Sequence, residues 1–310
     1  MKLMNLIKLN LIIFLLIFSS ATADMLTDKI DSLFVYASSG EIQYRDLVQP
    51  AIDSIAIIGV GAVPHLINKF STKSARERLT IINILKKIGV PAVPYLTTAL
   101  NRPEDIVVAR ICWSLGSIAD SSALEPLINV AAHKSWWVRE KAVDALGKIK
   151  SMQASSVIIN MLNDDIGQVR KAAVVASGRI KINDAIPSLV HALGDSFYGA
   201  RMSAVEVLVL LDTVLVLQTI QDSIKSTNEI LLNNACYLLG EIGSDDALDI
   251  LSYFLESKNR TIRAQATTAI IKSDPEDKCG YFHIFISDET DYFINIQIES
   301  ALKASKNILP

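Results

Sequence analysis

A pattern of about 31 residues repeats along most of this chain, and it constrains the fold more than any other feature. Each copy opens on a small or apolar residue, and most copies place an apolar residue four positions later. A period of about 20–50 residues with helical content is typical of an α-solenoid, in which stacked helical pairs share a continuous core. The copies begin at Ala62, Ala92, Ala123, Ala154, Ala185, Leu215 and Ala247.

Each copy divides into two amphipathic segments. Prolines open the first segment in several copies, as expected for the first turn of a helix, where the missing N–H has no partner to lose. The second segment carries an apolar residue followed by arginine, with alanine three positions later, and small residues at a fixed helical position allow close helix packing. The aligned residues are Val138-Arg139, Val169-Arg170, Ala200-Arg201 and Ile262-Arg263, with Gly116, Gly147 and Gly178 further along.

This AxPxL-type first helix and VRxxAxxALGxI-type second helix resemble HEAT repeats, most closely the short bacterial subclass called phycobilisome-lyase-like. The resemblance covers roughly residues 26–304. It implies an all-α fold, a right-handed α-α superhelix of about nine helical pairs. It is specific for the fold and weak for function, because relatives include scaffolds, chromophore lyases and a di-iron hydroxylase.

Residues 1–23 read as a secretory signal peptide rather than as part of the repeats. Lys2 and Lys8 precede the apolar run Leu11–Phe18, and a small-residue cleavage site ends at Ala23. An uncleaved anchor is the alternative, but the run is shorter than the ~20 residues that span a bilayer. We expect cleavage after Ala23, a periplasmic or secreted protein, and no membrane insertion of the mature chain.

The rest of the chain divides by its repeats. Residues 24–61 form a degenerate N-terminal capping repeat, residues 62–277 seven HEAT-like repeats, and residues 278–310 a C-terminal capping helical pair. Terminal repeats diverge because one of their faces meets water.

The charge balance argues against nucleic acid as a partner. Without Lys2 and Lys8 the chain keeps 28 basic and 33 acidic residues, a net charge of 28 − 33, or −5, whereas phosphate binding needs a basic surface. We expect a solvated helix face for the one local basic cluster, which comprises Lys73, Arg76, Arg78, Lys86 and Lys87. The three cysteines, Cys112, Cys236 and Cys279, are expected to be buried free thiols, although a Cys236–Cys279 bridge is conceivable.

The sequence carries no motif that predicts catalysis, a metal or a cofactor. It lacks C-x-x-C, H-E-x-x-H, G-x-S-x-G and a glycine-rich phosphate loop. The four histidines lie at different offsets in their repeats, and no His-Glu dipeptide matches the pairs of the related hydroxylase. An enzyme is therefore the less favoured interpretation.

Four arginines occupy one repeat position: Arg139, Arg170, Arg201 and Arg263, called the arginine ladder below. Acids precede some of them, namely Asp164, Asp165, Asp195 and Glu256. The ladder is either an anion-binding stripe or a set of Arg–carboxylate ties between adjacent repeats, and we favour the ties, because bidentate pairs suit that geometry.

The links between the helices of a pair carry paired aromatics, each pair just ahead of a second helix. Trp136, Trp137, Phe197 and Tyr198 are the candidate partner-binding residues, and Tyr292-Phe293 shares their position. Exposed aromatics anchor interfaces, whereas a hydrophobic staple would pack them onto their own repeat. Glu140, Lys171 and Asn233 are candidate rim contacts.

Taken together, these features predict a non-catalytic protein–protein interaction scaffold, exported from a bacterial cell, that binds a protein or peptide on its repeat surface. The alternative is a lyase or cofactor-handling enzyme, which only the resemblance to the phycobilisome-lyase-like family implies.

Overall fold

The computed structural model describes residues 24–273, Phe282 and residues 289–306. The predicted signal peptide and Cys279 lie outside these residues. The regular elements within the described part are helices, so the all-α superhelix prediction is confirmed. In chain order they are α1 (24–37), α2 (Arg45–Ile58), α3 (Val63–Asn68), α4 (Ala75–Ile88), α5 (Val93–Thr98), α6 (Asp105–Ile118), α7 (Leu124–Val130), α8 (Trp136–Ile149), α9 (Ser155–Met161), α10 (Gly167–Ile180), α11 (Ile186–Ala192), α12 (Tyr198–Leu208), α13 (Thr213–Ser223), α14 (Glu229–Ile242), α15 (Asp245–Leu255), α16 (Arg260–Ser273) and α17 (Tyr292–Lys306).

The odd-numbered helices up to α15 are the first helices of the pairs, and the even-numbered helices and α17 are the second helices. The apolar positions that define the sequence repeat are the core of these pairs. The opening alanines are buried, and so are the residues four positions later, because both lie on the stripe that faces the second helix. The residues of the second group are Leu66, Leu96, Leu127, Ile158, Leu189 and Leu251.

The copy that opens at Leu215 departs from this pattern. Leu215 is 42% exposed. In most other copies a short 3-10 turn that holds the opening alanine precedes the first helix, whereas α13 begins directly at Thr213 behind an Asp212 cap. The shifted helix start moves Leu215 off the buried stripe.

Small residues bring neighbouring second helices close together, as the sequence predicts. A Cβ on Gly147 would lie 2.8 Å from Ala176 Cα, and one on Gly240 would lie 2.9 Å from Ala269 Cβ. Such distances leave no room for a side chain, so α8 approaches α10, and α14 approaches α16, at the contact limit of their backbones.

Six of the second helices end at a residue with a positive φ. Gly59, Gly89 and Gly243 have φ of 69°, 74° and 62°. Three non-glycine residues stand at the same place in other copies with φ between 59° and 63°: Ala119, Lys150 and Lys181. A positive φ turns the chain out of the helix, and a side chain there carries a steric cost.

The chain divides into two compact units, one that ends at Ala145 and one that begins at Leu146. In the first unit one helical run, Ile42–Ser71, is long and apolar enough to cross a membrane by length and composition, and the pair Ala75–Ile88 and Val90–Asn101 passes the same test with a bend of 110°. Within the run, Gly59 interrupts the helix with its positive φ. The straight part, α2, has 14 residues, or about 21 Å, against a bilayer core of ~30 Å. The run therefore joins the second helix of one pair to the first helix of the next pair rather than forming a single straight span.

Candidate functional site

The links are the short segments that precede the second helix of each pair, and all of them in the described residues except the one before α6 share one turn. A side chain at the start of the link accepts a hydrogen bond from the backbone N–H two residues later, which fixes the approach to the second helix. The acceptor varies from serine to histidine while the geometry persists, and sequence reasoning missed it for that reason. The accepting residues are Ser39, Thr72, His133, Asp164, Asp195, Ser226, Ser257 and Glu289.

Each arginine of the ladder is the fourth residue of its second helix and ties down its own link. Its Nη1 donates to two successive carbonyls, six and five residues earlier. For Arg170 these are Asp164 at 2.7 Å and Asp165 at 3.2 Å. Arg139, Arg201 and Arg263 repeat the same register. The arginine thus satisfies carbonyls that the turn leaves unpaired.

Two of the arginines also bind the carboxylate that opens the following link. Arg170 donates from Nε and Nη2 to the two oxygens of Asp195, both at 2.6 Å. Arg263 binds Glu289 in the same way at 2.7 and 3.2 Å. The carboxylates are 7% and 1% exposed. Glu256, which the sequence placed near Arg263, is exposed instead, so the tie runs from an arginine to the next repeat's link.

These carboxylates remain ionised despite burial. Burial by itself raises the pKa of Asp195, but the hydrogen bonds from Arg170 and from the Phe197 N–H, with the nearby arginine charges, bring that pKa below its ordinary value. The same competition between burial and the Arg263 hydrogen bond lowers the pKa of Glu289.

A second tie recurs at the sixth residue of some second helices and was not predicted. Arg110, 3% exposed, donates from Nη1 to the carbonyls of Phe70 and, at 2.8 Å, Thr72. Asn234 reaches the carbonyl of Leu193 at 2.7 Å, and Phe70 and Leu193 occupy the same repeat position. Burial is the main cause that lowers the pKa of Arg110.

The predicted aromatic set separates residue by residue. Trp136 and Tyr198, 43% and 65% exposed, are the first residues of α8 and α12 rather than part of the links. Trp137 is half-buried. Phe197 packs over Gly167. A Cβ added to Gly167 would lie 2.5 Å from the Cβ of Phe197. Phe197 therefore packs against the preceding repeat rather than onto its own repeat as a staple would, while Trp136 and Tyr198 face solvent.

A third aromatic pair opens α17. Tyr292 and Phe293 are 71% and 68% exposed and meet edge to face at 5.7 Å. Arg260 lies 5.9 Å from the Phe293 ring and is paired with Asp291. The C-terminal cap thus presents two adjacent exposed rings.

The three predicted rim residues differ in their surroundings. Glu140 pairs with Lys141 at 3.0 Å. Lys171 packs its stem beside Gly199, and the buried side-chain oxygen of Asn233 accepts no hydrogen bond from the described residues.

The basic cluster of the sequence lies on and just before α4 and is partly neutralised. Lys87 pairs with Asp53 of α2 at 2.6 Å, and Arg76 donates to the Ser39 carbonyl at 2.9 Å. The cluster is thus engaged in packing contacts with the preceding repeat.

The described residues also contain two buried thiols and an open groove. Cys112 and Cys236 are buried free thiols, as predicted, and burial raises the pKa of Cys112 to about 12. In the described ranges, no group of three or more His, Cys, Asp or Glu is placed to hold a metal ion. An open groove of about 760 Å³ lies beside α1, lined among others by Phe34, Tyr44 and Glu77.

The sequence profile of HEAT repeats matches residues 93–177 and 124–209. The helical pairs before and after these residues have the same two-helix arrangement. The chain therefore contains HEAT repeats over these residues.

One solved HEAT-like structure shares its fold. YibA of Escherichia coli is 18% identical, covers 86% of this chain and 98% of its own, and superposes with a TM-score of 0.51. This HEAT-repeat chain is also similar to the CpcE–CpcF complex of phycocyanin lyase from Nostoc sp. PCC7120, with 17% identity, 78% and 94% coverage and a TM-score of 0.40. At these identities the likeness concerns the fold and carries no activity across. No curated protein matches the chain by sequence.

Proposed function

We propose that this HEAT-repeat protein is a non-catalytic scaffold that binds a protein or peptide partner at its link edge. The link edge comprises the links and the opening residues of the second helices. We further propose that the chain leaves a bacterial cell by its N-terminal signal and works in the periplasm or outside the cell, without membrane insertion and without nucleic acid.

The exposed aromatics at equivalent helix starts carry this proposal. Trp136, Tyr198 and Tyr292 are each the first residue of a second helix, and all three are exposed to solvent. Large aromatic side chains supply much of the binding energy of protein interfaces, because they bury a wide apolar area with few rotatable bonds. HEAT repeats generally mediate protein interactions, which agrees with a partner at this edge.

Affinity capture from the host's envelope extract tests the partner. The bait is the wild-type chain beside Trp136→Ala/Trp137→Ala, with Tyr253→Ala as the matched control, since Tyr253 is 60% exposed on the first helix α15. We expect a partner that the wild type and the Tyr253 variant retain and the double tryptophan variant loses. Equal capture by all three would place the binding surface elsewhere.

Export has a separate readout. We expect the envelope form to begin at Asp24 by intact mass, because the small-residue site ends at Ala23. A protein recovered with Met1 from the cytoplasm would contradict export without touching the binding proposal.

The alternative function would show in the purified protein. A pigment or metal that copurifies with the wild-type chain, together with failed capture, would favour the lyase or cofactor-handling enzyme.

A further inference from the structure

The second unit contains three arginines of the ladder whose surroundings can be compared directly. Arg170, Arg201 and Arg263 each bind the carbonyls of their own link through Nη1. Arg170 and Arg263 use Nε and Nη2 for a carboxylate 25 and 26 residues further along the chain. Arg201 has Ser226 at that place. Serine has no carboxylate, and its hydroxyl oxygen already accepts the Asn228 N–H.

We propose that Arg201 binds an acidic side chain, Asp or Glu, of a partner polypeptide. The proposal rests on the scaffold function above and names the chemistry of its contact. Within the described residues, Nε and Nη2 of Arg201 have no hydrogen-bond acceptor, and the side chain is half-buried. An incoming carboxylate would complete the bidentate pair that the two neighbouring arginines already make inside the chain.

The local geometry holds the Arg201 guanidinium in place for this contact. Its Nη1 is fixed by the carbonyls of Asp195 and Ser196 at 2.5 and 3.2 Å. Its central carbon lies 5.4 Å from the centre of the Tyr198 ring. A guanidinium held at one edge loses little side-chain entropy when the other edge is bound.

Asp195 does not fill the role of the missing partner. Its charge and that of Arg201 interact, which contributes to the lowered pKa of Asp195. However, both oxygens of Asp195 already accept hydrogen bonds from Arg170, so the positive charge of Arg201 keeps two free donors.

The exposed residues that open α12, which carries Arg201, and α14, which follows Ser226, fit a peptide rather than a lone ion. Tyr198 is 65% exposed, and Ile230, the second residue of α14, is 49% exposed. An apolar neighbour of the acidic residue would find these surfaces at the link edge, whereas inorganic anions would use the arginine alone. Glu229 opens α14 and is exposed, so a segment with several acids would be repelled.

The test uses amidated and free-ended peptides as probes. The first is acetyl-Tyr-Glu-Leu-amide, and the second is acetyl-Tyr-Gln-Leu with a free C-terminal carboxylate. Each is titrated into the ¹⁵N-labelled full chain, purified after export, at constant ionic strength, while the arginine Nε–H signals are recorded. The matched variant is Ser226→Asp, which supplies an internal carboxylate at the register of Asp195 and leaves Arg201 intact.

We expect the Glu peptide to shift the Arg201 Nε–H signal and to leave those of Arg170 and Arg263 in place. In Ser226→Asp the Arg201 signal should move without peptide, and affinity for the Glu peptide should fall by roughly tenfold or more, since charge-assisted hydrogen bonds are lost to competition. No response of Arg201 in the wild type, an equal response in Ser226→Asp, or a response only to the free-ended peptide would overturn the proposal.

The peptide titration tests the Arg201 contact, and the capture experiment tests the scaffold function, so the two proposals can fail separately. A captured partner whose retention is indifferent to Ser226→Asp would overturn the Arg201 contact while the scaffold function stands. A Glu peptide bound at Arg201 without any captured partner would count against the scaffold function and support the site.

Discussion

Asp195 makes three kinds of contact in its link, two through its side chain and one through its backbone carbonyl. It accepts the Phe197 N–H at 2.7 Å, which shapes the turn, and it binds Arg170 through both oxygens. Its backbone carbonyl accepts from Arg201. Because the carboxylate is nearly buried, loss of its charge would leave Arg170 with unpaired donors, which costs more than a surface pair would contribute.

Asp195→Asn should destabilise the protein in a pH-dependent way. At pH 7 we expect a loss of about 2 kcal/mol in the free energy of unfolding, because the half-buried Arg170 keeps its charge and loses its charged partner. The folded-state pKa of Asp195 lies below the ordinary value, so its contribution is present above the unfolded pKa of about 4 and is lost as the pH falls through the folded pKa. The difference between wild type and variant should therefore shrink in acid.

Urea unfolding at neutral and acidic pH measures this effect. Asp184→Asn is the matched control, because Asp184 is exposed and its replacement should change stability little at either pH. A cost for Asp195→Asn that stays constant with pH would contradict the charged pair.

Lys181 carries backbone strain that glycine would relieve. Its φ of 63° and ψ of 54° place it in the left-handed region at the end of α10. Lys181→Gly should raise the free energy of unfolding by roughly 1 kcal/mol, since glycine adopts that region without a Cβ clash. Ala172→Gly, inside the same helix, should lower it by about 1 kcal/mol. Destabilisation by both variants in chemical denaturation would argue against the strain.

The second helices show which part of the packing a sequence pattern can specify. The aligned glycines predicted close helix approach, and a Cβ added to Gly147 or Gly178 would indeed lie only 2.7–2.8 Å from atoms of the next second helix. The pattern also predicted aromatic pairs in the links just ahead of these helices, whereas Trp136 and Tyr198 are already the first residues of α8 and α12. It could not separate Phe197 from Tyr198, because whether a ring points inward depends on a neighbour about 30 residues away, here Gly167.

Gly147→Ala should be costly because the nearest atom to the new methyl group is backbone. The added Cβ would lie 2.8 Å from Ala176 Cα, so α8 and α10 would have to separate, at a cost of about 1–3 kcal/mol in the free energy of unfolding. Gly61→Ala is the control, since its Cβ would meet only side-chain methyl groups of Leu26 and Ile58 at the ordinary contact distances of 3.5 and 3.6 Å. This variant should change stability by less than about 0.5 kcal/mol. Equal unfolding midpoints for the two variants would contradict this packing.

Along the chain, the repeat made the fold predictable and left the contacts between links unpredicted. Apolar residues recur at fixed spacing because every pair buries the same stripe, so Ala62 and Leu66 can be placed in the core from the sequence alone. The link contacts depend on side chains 25 to 43 residues apart, such as Arg170 with Asp195 or Thr80 with the Ala37 carbonyl. Serine, histidine and acids substitute for one another in the turn, so no single residue type marks it.

The ladder arginines occupy equivalent positions. This equivalence makes Arg201 the arginine of the second unit whose Nε and Nη2 have no acceptor within the described residues. The unfolding midpoint of Ser226→Asp at pH 7, beside Ser226→Asn, tests this equivalence most directly. If Arg201 matches Arg170, the aspartate variant gains a bidentate pair and its free energy of unfolding rises by about 1 kcal/mol, while the asparagine variant stays near wild type. Equal midpoints for the two variants, or a lower one for the aspartate, would contradict the account.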